Sequence, residues 1–276
     1  MSARAPAAPP AALAPAEVPA LAAEDVVVRF GGTTVLDGVT LRVPPGTCVA
    51  LVGESGAGKT TLLRCFNALV RPAAGRVRVG DADVAALDAV ALRRRTGYVP
   101  QDGGLLPHWT LARNVALAAA LLGAGDPDAR ARADESLAMV GLEPARFAAR
   151  YPHELSGGQR QRAAVARALA GGAGVMLLDE PFGALDALTR TDMQSWLDGV
   201  RARFGWTVVL ITHDVREAVR LSDRVVVLSP RPAVVRRIVP VPLTRPRPAD
   251  AVTAPAFAAV EAELTAALRA DAPVRG

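Results

Sequence analysis

The chain has 276 residues, 51% hydrophobic and 21% charged, which is enough apolar material to bury a sizeable core, so the chain need not be disordered. No stretch of about 18 apolar residues is free of charge or proline, which argues against a transmembrane helix; two cysteines, Cys48 and Cys65, are too few for a disulfide framework and read as reduced thiols. The net charge of +5 permits a nucleic-acid partner but does not demand one, and with Arg93-Arg94-Arg95 as the densest basic cluster no nucleic acid is expected.

In chain order, residues 1–22 carry five prolines (6, 9, 10, 15 and 19) and read as a disordered Ala/Pro-rich tail. Strands are predicted at Val26–Phe30, Val39–Val43, Cys48–Val52 and Arg76–Val79, with a helix at Thr61–Leu69 showing Leu62, Phe66 and Leu69 on one face. Residues 88–170 turn helical: Asp88–Arg95, Leu111–Leu122, Pro127–Val140 closed by Gly141, Pro144–Tyr151 and Gln159–Leu169. Strand signals return at 175–179, 207–212 and 224–228. The order predicts an α/β domain over 23–230, split by a helical insert at about 88–170. Residues 231–276 read as a Pro-rich loop followed by an amphipathic helix with Phe257, Val260, Leu264 and Leu268 at helical spacing.

One count directs attention to a site. The chain has 31 arginines and a single lysine, Lys59. Arginine serves for every other positive charge, so Lys59 belongs where a planar guanidinium cannot do the work. It lies in Gly53-Glu54-Ser55-Gly56-Ala57-Gly58-Lys59-Thr60, which fits the phosphate-binding loop pattern G-x-x-x-x-G-K-[ST] between a buried strand and a helix. This composition yields roughly 0.0006 such matches by chance. Glycines let the backbone wrap closely and aim N–H groups at phosphate oxygens beside a positive helix N-terminus. Lys59 is a compact charge for the β- and γ-phosphates, and the Thr60 hydroxyl is placed to hold Mg²⁺. A nucleoside triphosphate is therefore the expected ligand.

Other residues stand at strand ends or helix starts, each with a plainer alternative. Val175–Leu178 runs into Asp179 and Glu180, where one carboxylate suits Mg²⁺ and the other a general base; the alternative is a pair of loop carboxylates capping the next turn. Ser156-Gly157-Gly158 opens a helix whose free N–H groups make a second anion site, or a structural N-cap and nothing more. His213 follows the strand Thr207–Ile211 and reads as a strand-end ligand or an ordinary exposed histidine. Phe30, before Gly31-Gly32, reads by itself as a core aromatic at a strand end.

Taken together, the motifs resemble the ATP-binding cassette (ABC) ATPases. Leu155-Ser156-Gly157-Gly158-Gln159 with Arg160-Gln161-Arg162 resembles their signature, Val175 to Glu180 the Walker B strand, and Gly183-Ala184-Leu185-Asp186 the D-loop. Ile211-Thr212-His213-Asp214 resembles the switch histidine, and Tyr98-Val99-Pro100-Gln101 the Q-loop, all in the family's order. The resemblance implies a RecA-like P-loop NTPase core with an antiparallel β-subdomain and a helical insert, using ATP and Mg²⁺. It implies that Glu180, His213 and Gln101 are catalytic and that Thr60, Gln101 and Asp179 hold the metal. ATP would be held by Phe30, by the loop Gly53 to Thr60 with Thr61, and by Ser156, Gly157, Gly158, Gln159 and Asp186. Two copies would pair head to tail, each signature helix facing the other copy's Lys59.

Glu180-Pro181-Phe182-Gly183-Ala184-Leu185-Asp186 is similar to bacterial importers more than to exporters. That implies integral membrane permease subunits and a solute-binding protein as partners, and a peripheral place on the cytoplasmic face of the membrane. Residues 54–122 resemble importers of quaternary amines such as glycine betaine and choline, whereas Leu228-Ser229-Pro230-Arg231-Pro232 is similar to nitrate, sulfonate and taurine importers. A soluble ABC ATPase of DNA repair or translation is the other class considered. The coiled coils, zinc modules or tandem cassettes of those proteins are not seen in this sequence.

Overall fold

The computed structural model describes residues 13–269, so the expectations for residues 1–12 and 270–276 lie outside the described residues. β1 (Leu21–Phe30) and β2 (Thr33–Val43) pair antiparallel across Gly31-Gly32, and both are longer than predicted. The ladder accounts for the difference: Leu21 pairs with Val43 on one side and with Val79 on the other, carrying polar residues that local preference would leave out. The expected tail is also corrected from Leu13 onward. Leu13 is 1% exposed in the core, and Pro19 O accepts a hydrogen bond of 2.7 Å from Thr207 Oγ1.

β3 (Cys48–Val52) leads through the glycine loop to α1 (Lys59–Cys65). This helix stops short of the predicted Leu69, which is 49% exposed rather than on the buried face. The N–H groups of Leu69 and Val70 both return to Arg64 O, and Ala68 takes φ 55°, which closes the helix. β4 (Ala74–Val79), β5 (Ala82–Asp83), α2 (Ala89–Arg94, capped by Asp88) and β6 (Thr96–Val99) follow. The insert holds α3 (Leu111–Leu121), α4 (Asp126–Met139), α5 (Pro144–Phe147) and α6 (Gly157–Ala170). α5 ends before the predicted Tyr151 because Ala148 O and Arg150 O accept the N–H groups of Ala112 and Leu111 at the start of α3. Then come β7 (Val175–Asp179), α7 (Ala187–Phe204), β8 (Thr207–Ile211), α8 (Val215–Leu221), β9 (Arg224–Leu228), β10 (Val235–Pro240) and α9 (Pro255–Arg269).

The described residues form two sheets. One is antiparallel, in the order β2-β1-β4-β5; the other runs β10-β9-β3-β8-β7-β6 and is parallel except for β10. β3, β7 and β8 are buried along their whole length, as strands covered on both faces must be. Alternate residues divide the core. Cys48, Met176, Leu178, Val208 and Leu210 pack under the helical insert and α7, while Val49, Leu51, Leu177 and Ile211 pack against α1 and the antiparallel sheet.

The stretch read as a Pro-rich loop is corrected as well. β10 extends the main sheet, and α9 docks Phe257, Val260 and Leu264 beside Ala50, Val52 and Val225. Fully burying a side chain of that size contributes about 1.5–3 kcal/mol, which keeps residues 235–269 part of the core.

Candidate functional site

Four adjacent parallel strands end on one edge of the main sheet. Asp179 pairs with Ile211, Leu51 with Ile211 and Val99 with Leu178, so Gly53, Asp179-Glu180, Thr212-His213 and Gln101 emerge side by side. This is the carboxyl edge, where open α/β sheets bind ligands.

The glycine loop is shaped by close approach. Gly58 has φ 96°, and a Cβ there would come within 2.8 Å of Leu36 Cδ2; one on Gly53 would come within 2.9 Å of Leu228 O. Glu54, Ser55 and Gly56 are exposed at the loop's crest, Ala57 is buried, and Thr61 lies partly buried in the first turn of α1. Lys59 is 7% exposed, and its Nζ donates to Gly53 O and Glu54 O, each at 2.8 Å. Burial pushes its pKa down, against the pull of the Glu180 and Asp179 carboxylates. Thr60 Oγ1 donates to Asp179 Oδ1 at 3.1 Å. Asp179 is buried, which raises its carboxyl above the ordinary range, while the Thr60 bond acts the other way.

Glu180 gathers the other two strand-end residues. Gln101 Nε2 donates to Glu180 Oε2 at 3.0 Å, and His213 Nδ1 lies 3.6 Å from the same oxygen. Glu180 takes φ 49°, a left-handed conformation costly for a non-glycine residue, and its N–H is held by Ile211 O at 3.1 Å. From this backbone position the carboxylate meets Gln101 and His213. His213 itself is largely exposed.

The remaining expected residues lie apart from this group. Ser156 caps α6 by accepting from Gln159 N at 3.2 Å, and Gln159 Oε1 accepts from Ser156 N at 3.0 Å, a reciprocal capping box. A Cβ on Gly157 or Gly158 would meet Ala184 O at 3.2 Å or Leu185 Cδ2 at 3.1 Å, so the start of α6 packs on the 183–186 segment. No hydrogen bond joins residues 156–159 to the glycine loop among the described residues. Asp186 caps α7 by accepting from Thr189 N at 3.0 Å, and these bonds hold its carboxyl below the ordinary range. Phe30 is 53% exposed at the end of β1, which removes the core-aromatic alternative.

Sequence reasoning does not reach Glu217. It lies one turn beyond His213 in α8, is 5% exposed, and accepts from Gln194 Nε2 at 3.0 Å. Burial pushes its pKa up to about 7, with Asp214 also raising it and Thr212, Gln194 and Arg190 lowering it. With Glu180, Thr212 and His213 it lines a small cavity of about 20 Å³. The larger hollows, of about 690 Å³ beside the N-terminal segment and about 230 Å³ between α3 and Tyr98, lie away from the strand-end residues.

A family model described as ABC transporter matches residues 36–183. The carnitine transport ATP-binding protein OpuCA of Listeria monocytogenes is 42% identical over 199 residues, which are 72% of this chain and 50% of that protein. The chain therefore spans about half the length of that relative. The aliphatic sulfonates import ATP-binding protein SsuB 1 of Mesorhizobium japonicum is 45% identical over 228 residues, 83% of this chain and 82% of that protein. Among solved structures, the dimeric post-hydrolysis state of the ATP-binding cassette MJ0796 bound to ADP and Pi aligns with a TM-score of 0.73 and 33% identity. It covers 81% of this chain and 100% of that one.

Proposed function

The chain belongs to the ABC transporter family, and from that premise we propose that it is the ATP-hydrolysing subunit of a bacterial importer. One observation carries the reading: the Glu180 carboxylate, at the end of a buried strand, meets Gln101 and His213 on the sheet edge that holds the glycine loop. Glu180 takes a proton from the water as the water oxygen bonds the γ-phosphorus and ADP leaves, Gln101 orients that water, and His213 contacts the γ-phosphate. Lys59 and the loop N–H groups hold the phosphates.

The residues present fit Mg²⁺. Thr60 and Asp179 offer oxygens 3.1 Å apart, and Gln101 adds an amide, an oxygen-donor set that suits a hard cation. When bound, Mg²⁺ would neutralise developing charge on the β- and γ-oxygens. Phe30, exposed at a strand end, offers its ring to adenine. The α6 N-terminus makes no bond to its own glycine loop, which leaves Ser156, Gly157, Gly158 and Gln159, with Asp186, for the nucleotide of a second copy paired head to tail.

No helix among the described residues is long and apolar enough to cross a membrane. Separate permease subunits and a solute-binding protein are the proposed partners, with this subunit on the cytoplasmic face. The proposed solute is a quaternary amine, on the strength of residues 54–122 and the carnitine relative. A sulfonate is the second reading, favoured by Leu228 to Pro232 and by the relative matched over most of both chains.

The test is a deletion strain supplied with wild type or with Glu180→Gln. Wild type restores betaine uptake in high salt. Glu180→Gln does not, although the purified variant binds ATP as well as wild type, hydrolyses it about 10²–10⁴-fold more slowly and accumulates as a dimer with ATP. Unimpaired turnover in the variant, or a monomer by light scattering at saturating ATP, would overturn the mechanism. Restored growth on taurine without betaine uptake would favour the second reading.

A further inference from the structure

Gln101 sits at the tip of a tight turn. Gly103 N–H donates to Pro100 O at 2.9 Å, and Gly103 and Gly104 follow with φ 76° and 61°. A Cβ on Gly104 would come within 2.9 Å of Pro100 Cγ, so a larger residue would push the turn open. Among the described residues the Gly103–Pro100 bond is the one hydrogen bond between backbone groups of residues 100–104. The second constraint comes from α6, more than sixty residues away in sequence. Arg167 Nη1 donates to Gly104 O at 2.6 Å and Nη2 to Gly103 O at 3.1 Å, so one planar fork holds both carbonyls. The guanidinium is partly desolvated, and burial lowers its pKa with Asp102 acting in opposition; arginine keeps its charge under either influence.

We propose that Arg167 is a positioning residue: its guanidinium clamps the carbonyls of Gly103 and Gly104, fixing the turn that holds Gln101 against Glu180. The clamp ties α6 to the sheet edge. α6 begins at Gly157 and carries Arg167 in its last turn, so a rigid-body shift of the helical insert is transmitted to Gln101 through two hydrogen bonds. The catalytic consequence rests on the ATPase reading above, whereas the clamp itself does not.

The experiment compares wild type, Arg167→Met and Arg167→Lys. Methionine keeps much of the stem and a comparable helix propensity; lysine keeps the charge but offers a point donor in place of a fork. Amide hydrogen exchange of residues 102–106, without nucleotide, is expected to quicken about tenfold in Arg167→Met at an unchanged denaturation midpoint, with Arg167→Lys between. ATP turnover should fall about tenfold in kcat while nucleotide affinity stays within about twofold. A merely structural arginine would lower the midpoint and weaken affinity together. Unchanged exchange, or unchanged kcat in a variant whose turn exchanges faster, would overturn the proposal. Should Arg167→Met fail to fold, Arg167→Lys carries the same comparison. Faster exchange in a protein whose wild type does not hydrolyse ATP would uphold the clamp and remove the ATPase reading.

Discussion

Lys59 is confined by its own loop. At 7% exposure, with Gly53 O and Glu54 O each 2.8 Å from Nζ, it fills a slot sized for an ammonium. A guanidinium is broader and planar, and its donors point in fixed directions that do not converge on those two carbonyls. Lys59→Ala should therefore lose nearly all nucleotide binding, and Lys59→Arg most of its turnover, measured by equilibrium binding and steady-state hydrolysis. Equal turnover by Lys59→Arg and wild type would undo the argument drawn from the single lysine among 31 arginines. Much of this was legible in the one-dimensional pattern, since the loop is a contiguous string whose glycines, lysine and threonine act on one another locally. The left-handed φ of Glu180 was not. It occurs where the Glu180 N–H bonds Ile211 O on the neighbouring strand, and such a conformation costs about 1–3 kcal/mol for a non-glycine residue.

α7 and α8 are joined by a buried polar chain. Asp214 caps α8 by accepting from Arg216 N at 2.8 Å and Glu217 N at 3.2 Å, which places Glu217 inward against Gln194. Arg220, a turn later, donates to Gln194 Oε1 at 2.9 Å and to Ser195 Oγ at 2.7 Å. At the other end of α8, buried Arg247 donates to Val219 O, Arg220 O and Ser222 O, so the C-terminal segment caps the helix that follows His213. The carboxyl of Glu217 is pushed up from 4.5 to about 7, so folding takes up a proton there. A raised carboxyl stabilises fully below its unfolded pKa, and the contribution is lost as pH rises toward 7. The size is on the order of 3 kcal/mol, at about 1.4 kcal/mol per unit. Glu217→Gln should accordingly gain stability relative to wild type by that order between pH 4.5 and 8, read by urea denaturation at both ends. A difference between the two proteins that stays flat across the window would mean the carboxyl is not protonated on folding.

The proposed transport role would require that events at the sheet edge reach a membrane partner, and residues 102–109 lie between that edge and the helical insert. Fully buried Asn114 holds this segment, its Oδ1 accepting from Leu106 N at 2.7 Å and its Nδ2 donating to Leu106 O and Trp109 O at 3.1 Å. Leu105 turns inward to the core, while Leu106 and Trp109 stay half-buried, the Trp109 ring under the Arg113 guanidinium at 4.0 Å. If the proposed permease docks here, Leu106→Asp or Trp109→Asp should weaken copurification with it and uncouple uptake, leaving ATP binding by the isolated chain intact. Copurification at wild-type levels would place the docking surface elsewhere. The parallel core, the glycine loop between β3 and α1 and the carboxylates at the end of β7 could be read from the sequence, because strand burial and loop geometry leave contiguous apolar runs and short spaced motifs. β10, the docked segment from Leu13 and the extra length of β1 could not. Their residues take strand or core positions from ladders with β9, β4 and β2 and from burial, not from their own preference. The same holds for Arg167 and Glu217, one arginine among many and one carboxylate among many in the sequence. Their surroundings are hydrogen-bond partners and burial that distant segments supply, and those exist only once the chain has closed around them.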